Sequence, residues 1–146
     1  MEIKADDLAF MILKMENGGI GTIEASKVST GTNDELRFEI HGEKGAVRFN
    51  LMDPNWLEHY DNTLPDAPLG GNKGFTKIES IQRFKKPGGD FPSSKFSIGW
   101  IKAYVHSLYN FLSCLYEKKP ASLSFIEGAY IQYIMENAYE SDRRGR

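Results

Sequence analysis

Two segments of the chain hold the residues best suited to bind a polyhydroxylated ligand. Asn72 and Lys73 lie in the glycine-rich run 70–75, and Trp100 and Tyr104 lie one helical turn apart where a helical periodicity begins. Ligands with apolar C–H faces and hydroxyl rims are bound by an aromatic wall and a few amide, amine or hydroxyl groups. These four residues are candidate substrate-binding residues, and the alternative role for Trp100 is to anchor a helix to a sheet.

A fifth candidate is His106, beside the apolar face of the same predicted helix. Its imidazole either hydrogen-bonds a ligand hydroxyl or lies on the helix surface. His41 and His59 share no close spacing with it, and we expect both to be exposed. No cysteine or carboxylate cluster flanks the histidines at the spacing of a zinc site, so we predict no metal. Cys114 has no activating histidine nearby in sequence and is expected in the core, so we predict no catalytic residue.

Composition and charge narrow the class of protein. With 146 residues, the chain is long enough for one domain, 1–146, and too short for a nucleotide-binding domain plus a substrate domain. A formal net charge of -2 and scattered lysines and arginines argue against nucleic acid as a partner. No apolar run approaches the roughly 20 residues that cross a bilayer, and the N-terminus lacks a signal-peptide pattern. With one cysteine, these features predict a cytoplasmic protein with no membrane partner.

Residues 6–60 are predicted to form strands. Apolar residues fall on both parities of 7–15, which predicts a strand that is covered on both faces. The pair Asn17 and Gly18 favours a tight hairpin in which both central residues have positive φ. Alternating apolar and polar residues predict a second hairpin within 36–51.

Residues 61–99 are predicted to be a long loop region, because prolines and glycines leave room only for a short strand. Long loops in compact domains are often binding loops. Helical periodicity then predicts two helices, over about 100–117 and about 124–144, the second opened by a capping box of Ser124 and Glu127. Strands first and helices last predict an α+β fold, with an open, largely antiparallel sheet and helices on one face.

Three motifs stand in order along the chain. Residues 16–26 read Glu-Asn-Gly-Gly-Ile-Gly-Thr-Ile-Glu-Ala-Ser, residues 39–47 read Glu-Ile-His-Gly-Glu-Lys-Gly-Ala-Val, and residues 124–128 read Ser-Phe-Ile-Glu-Gly. No one of them is specific, but in this order, over nearly the whole chain, they resemble the C-terminal domain of the Gfo/Idh/MocA family of NAD(P)-dependent oxidoreductases. Glucose-fructose oxidoreductase and inositol dehydrogenase are typical of that family.

The resemblance implies a C-terminal domain like those of dihydrodipicolinate reductase and glyceraldehyde-3-phosphate dehydrogenase. It also implies a homodimer or homotetramer formed through the free sheet face, and hydride transfer between NAD(P) and a sugar or polyol in the full-length protein. NAD or NADP would be bound by the protein's own N-terminal Rossmann domain, which this chain lacks. The glycines at 18–21 join two strands, and those at 70–74 do not lead from a strand into a helix, so we expect no cofactor-binding residue here.

A second interpretation belongs to another class of protein. The same residues are compatible with a free-standing α+β dimerisation or small-ligand-binding domain without catalysis. In either interpretation the chain alone is expected to be inactive.

Overall fold

A computed structural model describes residues 6–145. It contains six strands, two short 3₁₀ turns and two α-helices. The strands are β1 Leu8–Lys14, β2 Ile20–Ser26, β3 Arg37–Gly42, β4 Gly45–Asn50, β5 Trp56–Asp61 and β6 Thr76–Glu79; the 3₁₀ turns are Ile81–Arg83 and Gly88–Asp90; the helices are α1 Trp100–Glu117 and α2 Phe125–Arg143. No helix among residues 6–145 combines the length and the apolar character needed to span a membrane.

The predicted α+β class, with antiparallel strands and two helices, is confirmed. Where one sheet was expected, hydrogen bonding forms two: a hairpin of β1 and β2, and a four-stranded meander in the order β3-β4-β5-β6. The polar segment 27–36 between β2 and β3 has the serine, threonine, glycine and asparagine composition of a turn, and β2 pairs only with β1. The chain separates into two compact units, one of residues 1–33 and 122–146 and one of residues 34–121.

In the first unit, β1 and β2 pair in register, with Leu8 opposite Ser26 and Lys14 opposite Ile20. Their connection differs from the expected tight turn, because Met15 donates to the carbonyl of Gly19 and only Gly18 has positive φ, at 86°. A loop of this kind, with glycine in the left-handed region before the returning strand, is the common alternative to a two-residue turn.

The two apolar faces of β1 differ in exposure. Met11 and Leu13 are half-buried, and residues 10–13 line a groove together with residues of α2. On the other face Leu8, Phe10 and Ile12 are 57%, 62% and 74% exposed. The prediction of a strand with two apolar faces therefore holds, but one of these faces is uncovered in the chain itself.

In the second unit, pleating gives the four-stranded sheet one apolar and one charged face. Phe49, Leu57 and Ile78 share the apolar face, as the pairing of β4 with β5 and of β5 with β6 requires. His59 pairs with Val47 and lies half-buried on this apolar side, so the expected exposed position of His59 is wrong. The register brings His59 to this face because it shares parity with Leu57.

The charged face of that sheet is organised around Glu39. The guanidinium of Arg48 donates to Glu39 from Nη2 at 2.6 Å and from Nε at 2.7 Å, and the Nε2 of His41 lies 2.9 Å from the same carboxylate. Arg48 also lies over the ring of Phe75, 3.7 Å from its centroid. The hydrogen bond from Arg48 lowers the pKa of Glu39 below its usual value, and His41 is exposed, as predicted.

Helix α1 begins and ends at residues with distinct backbone conformations. Gly99 is extended at φ -145° and accepts the backbone N–H of Lys102 at 3.1 Å. At the other end Lys118 adopts a left-handed conformation, and the N–H of Lys119 caps the carbonyl of Cys114 at 3.0 Å. In the other unit, α2 begins with the predicted capping box of Ser124 and Glu127.

Candidate functional site

A cleft of about 750 Å³ lies between the apolar face of the four-stranded sheet and the start of α1. Phe49, Leu57 and Ile78 form the sheet wall. Trp100 and Tyr104 form the helix wall, with ring centroids 5.6 Å apart and planes at 87°. Both rings are 71% exposed, so they present an aromatic edge to the opening rather than filling the core. The structure thus brings two of the five predicted site residues together.

The start of α1 is held against the sheet by Asn55, in the turn between β4 and β5. Its side-chain Oδ1 accepts two hydrogen bonds, from the Ser97 hydroxyl at 2.9 Å and from the Ile98 N–H at 2.8 Å. Its backbone carbonyl accepts the N–H of Ser80 at 2.8 Å, just after β6. One asparagine therefore connects the edge of the sheet to the residues that lead directly into Trp100.

A buried lysine holds the same segment from the helix side. Lys102 is only 2% exposed, and its Nζ donates to the carbonyl of Phe96 at 2.8 Å. Lysine ammonium groups are rarely buried without such a partner. Asn55 and Lys102 together tie residues 96–98 to the sheet and to α1, which sets the separation of the two cleft walls.

The imidazole of His106 lies away from the cleft, one turn after Lys102 on α1. Its ring makes an edge contact with Phe84, 6.0 Å between centroids, and packs near Tyr109. Its Nδ1 is buried without a hydrogen-bond partner among the described residues. Gly88 packs so closely on this part of α1 that a Cβ there would lie 2.6 Å from the carbonyl oxygen of Lys102. His106 is therefore part of the packing between α1 and the segment 84–90.

Asn72 and Lys73 lie in another part of the second unit, in the loop after β5. The ammonium of Lys73 pairs with Asp66 at 2.6 Å, and this hydrogen bond raises the pKa of Lys73. The loop is closed tightly at Gly71, where a Cβ would lie 2.0 Å from the carbonyl oxygen of Pro65. Neither Asn72 nor Lys73 lines the cleft of Trp100 and Tyr104. The predicted substrate-binding residues therefore do not form a single site in this chain.

Two polar residues that sequence reasoning missed do line the cleft. Ser80 and Arg83 stand at the two ends of the first 3₁₀ turn, where the Arg83 N–H donates to the Ser80 carbonyl at 3.0 Å. No spacing or composition marks them in the sequence. Only the return of the chain from β6 toward α1 places them beside Trp100.

The described residues do not fit a nicotinamide dinucleotide. A dinucleotide site needs a glycine-rich turn that opens a helix, with backbone N–H groups free for the pyrophosphate. The turn before α1 contains a single glycine, Gly99, and the paired glycines Gly88 and Gly89 are buried against Phe84 and α1. Within residues 6–145, no group of three or more histidine, cysteine, aspartate or glutamate side chains is placed to hold a metal ion.

The whole chain is similar to one domain of a known family of oxidoreductases. The model of the oxidoreductase family C-terminal alpha/beta domain of Gfo/Idh/MocA proteins matches residues 1–146. A levoglucosan dehydrogenase from Pseudarthrobacter phenanthrenivorans is 24% identical over 139 residues, which are 95% of this chain and 35% of that protein.

Solved structures show the same fold. An oxidoreductase domain protein from Kribbella flavida has a TM-score of 0.86 at 24% identity, covering 98% of this chain and 37% of its own. Levoglucosan dehydrogenase in complex with NADH and levoglucosan has a TM-score of 0.85 at 24% identity, covering 97% and 38%. The chain thus spans little more than a third of the length of these relatives. The match to the family model over the whole sequence establishes that the chain belongs to the Gfo/Idh/MocA oxidoreductase family and corresponds to its C-terminal alpha/beta domain.

Proposed function

We propose that residues 1–146 act as the single substrate-binding and oligomerisation domain of an NAD(P)-dependent sugar or polyol oxidoreductase. The observation that carries this proposal is the aromatic edge of Trp100 and Tyr104 at the mouth of an apolar cleft. The faces of aromatic rings pack against the C–H faces of sugars, and both side chains are exposed enough to do so. NAD or NADP would be held by an N-terminal Rossmann domain of the whole protein, because the described residues offer no dinucleotide site.

The family membership and the relative's complex with NADH and levoglucosan support the reaction class. In that reaction class, NAD(P) bound by the other domain would accept a hydride from a carbon of the sugar or polyol, whose hydroxyl would also lose a proton, or would supply the hydride in the reverse direction. The cleft would shape and orient the substrate while the other domain supplies the cofactor. The 146-residue chain by itself is then expected to be inactive, and a reducing cytoplasm suits its single thiol, Cys114.

Two assays test this function. In the whole protein, Trp100→Ala should raise KM for the preferred sugar by roughly 10-fold with little change in kcat, as expected for the loss of one stacking contact. Tyr116→Ala is the matched control, because Tyr116 is an aromatic residue of the same helix that is 90% exposed and does not line the cleft. An equal effect of both variants would contradict the role of the cleft.

The second assay concerns the cofactor. The 146-residue chain titrated with NADH should show no saturable fluorescence change, whereas the whole protein should bind NADH. Tight binding by the 146-residue chain would overturn the proposed division between the domains. Reading the gene upstream of Met1 for a strand followed by Gly-x-Gly-x-x-Gly distinguishes this proposal from a free-standing binding or dimerisation domain.

We further propose that a second copy of the chain covers the outer face of β1. Leu8, Phe10 and Ile12 form a contiguous apolar row that is more than half exposed. Rows of this kind mark interfaces, and a sheet with an uncovered apolar face is poorly suited to water. Ile12→Glu should convert the homodimer or homotetramer to smaller species in sedimentation velocity, and Tyr116→Glu should not. A strictly monomeric wild-type protein at high concentration would refute this interface.

A further inference from the structure

The cleft between the sheet and α1 has one charged residue in its lining. The lining residues are mostly apolar and aromatic, and they also include Ser80, Arg83 and Tyr104. All three side chains can donate hydrogen bonds, and the two hydroxyls can also accept them. Among the described residues that line the cleft, Arg83 carries the only charge, and there is no carboxylate or side-chain amide. A ligand in this cleft would therefore lie beside one positive charge and no negative charge.

Ser80 and Arg83 are held side by side by the first 3₁₀ turn. Residues three apart eclipse each other in a 3₁₀ turn, so their side chains leave the backbone on the same side. The N–H of Arg83 donates to the Ser80 carbonyl at 3.0 Å, and the Ser80 N–H donates to the Asn55 carbonyl at 2.8 Å. The backbone of this turn is thus attached to the sheet, and both residues line the cleft.

Arg83 differs from the other arginines of the described chain. Arg37, Arg48, Arg143 and Arg144 each lie within ion-pair distance of a glutamate. Among residues 6–145, the side chain of Arg83 has neither an ion pair nor a hydrogen bond. A guanidinium presents a planar fork of donors that matches a carboxylate or a phosphate, which makes it well suited to recognise a ligand.

We propose that the substrate is an anionic sugar or polyol, whose carboxylate or phosphate binds Arg83 and Ser80 while its ring lies against Trp100 and Tyr104. This inference rests on the proposed function and adds to it the charge of the substrate. A uronate or aldonate and a sugar phosphate share the chemistry that the cleft recognises, and the assay separates them.

The first test compares matched substrates in the whole protein at saturating NAD(P). Glucose, glucuronate and glucose 6-phosphate differ only in the group that would meet Arg83. We expect one anionic member to have the highest kcat/KM, and Arg83→Gln to reduce that value by about 10- to 100-fold, chiefly through KM, as for the loss of a charge-assisted hydrogen bond. Arg83→Lys should retain part of the preference, because the positive charge remains.

The matched control is Arg37→Gln. Arg37 is an exposed arginine on β3 that does not line the cleft, and its replacement should leave the order of the three substrates unchanged. Preference for glucose in the wild type, or an unchanged preference in Arg83→Gln, would overturn the inference while dehydrogenase activity still supports the proposed function. Absence of NAD(P)-dependent turnover across a broad panel of sugars would count against the proposed function itself.

A binding assay tests the anion site without any cofactor. In the Trp56→Phe variant of the 146-residue chain, Trp100 is the sole tryptophan. Its fluorescence should respond saturably to glucuronate or glucose 6-phosphate and not to glucose, and Arg83→Gln should abolish the response. A response to glucose alone, or one that survives Arg83→Gln, would refute the anion site.

Discussion

Replacing Asn55 is the most direct test of how this fold builds its cleft. One oxygen of the Asn55 side chain, Oδ1, accepts two hydrogen bonds, one from the Ser97 hydroxyl and one from the Ile98 N–H. Asn55→Ala removes this one acceptor, and it leaves the Ser97 hydroxyl and the partly buried Ile98 N–H without their partner. At about 1 kcal/mol for each bond, we expect a loss of about 2 kcal/mol in the free energy of unfolding, or roughly 4–8 °C in Tm for a chain of this size.

Asn55→Asp is the informative companion variant. A carboxylate keeps the acceptor oxygen, so it should retain most of the stability and the position of residues 97 and 98. Thermal unfolding followed by circular dichroism measures the first effect. The emission and acrylamide quenching of Trp100, in the Trp56→Phe background, measure the second. Asn62→Ala is the control, because the side chain of Asn62, just after β5, makes a single exposed hydrogen bond, to the Glu43 carbonyl at 3.1 Å.

The reasoning fails under either of two results. If Asn55→Ala unfolds at the wild-type temperature with unchanged Trp100 quenching, the two hydrogen bonds do not position α1. If Asn55→Asp is destabilised as much as Asn55→Ala, the accepting oxygen is not what matters at this position.

Three other variants test separate parts of the fold. Gly88→Ala should lower the free energy of unfolding by about 1–3 kcal/mol, because its Cβ would overlap the backbone of α1. Gly128→Ala should raise it by about 0.5–1 kcal/mol, because the space around this helical glycine is open. Urea unfolding measures both changes, and equal effects of the two variants would contradict the packing argument. The hydrogen bond from Arg48 holds the pKa of Glu39 in the folded state below its usual 4.5. The contribution of Glu39 to stability is therefore present above pH 4.5 and is lost as the pH falls through the folded pKa. Glu39→Gln should make stability fall less steeply with decreasing pH in the acid range, and an unchanged pH dependence would contradict this contribution. Glu127→Ala should cost about 0.5–2 kcal/mol of stability by removing half of the α2 capping box, and Glu127→Gln less, as thermal unfolding would show.

The features that were predictable from the sequence depend on contacts within a few residues. The capping box joins Ser124 to a residue three positions away, and Trp100 and Tyr104 meet because four residues make about one turn of helix. Apolar residues on both parities of β1 likewise indicated two apolar faces before any partner strand was known. Such signals survive in sequence because the interacting groups are neighbours along the chain.

The cleft depends on contacts of another kind. Asn55 meets residues 42 and 43 positions away, and no local pattern specifies which loop returns to it. Asn72 and Trp100 both lie in segments whose composition is suited to ligand binding. The loop of Asn72 is closed tightly at Gly71, and Asn72 lies outside the cleft. Arg83 carries no motif, and it enters the cleft only because the chain after β6 turns back toward α1.

Lys102 and His59 illustrate the same physical limit. A lysine in a helix is expected to be solvated, but the carbonyl of Phe96 gives this ammonium a partner and permits its burial. His59 is polar, but its parity in β5 assigns it to the apolar face. Local hydrogen bonding and periodicity select helices and strands, whereas the packing of distant segments decides which side chains are buried and which line the cleft, because burial depends on groups that are remote in sequence.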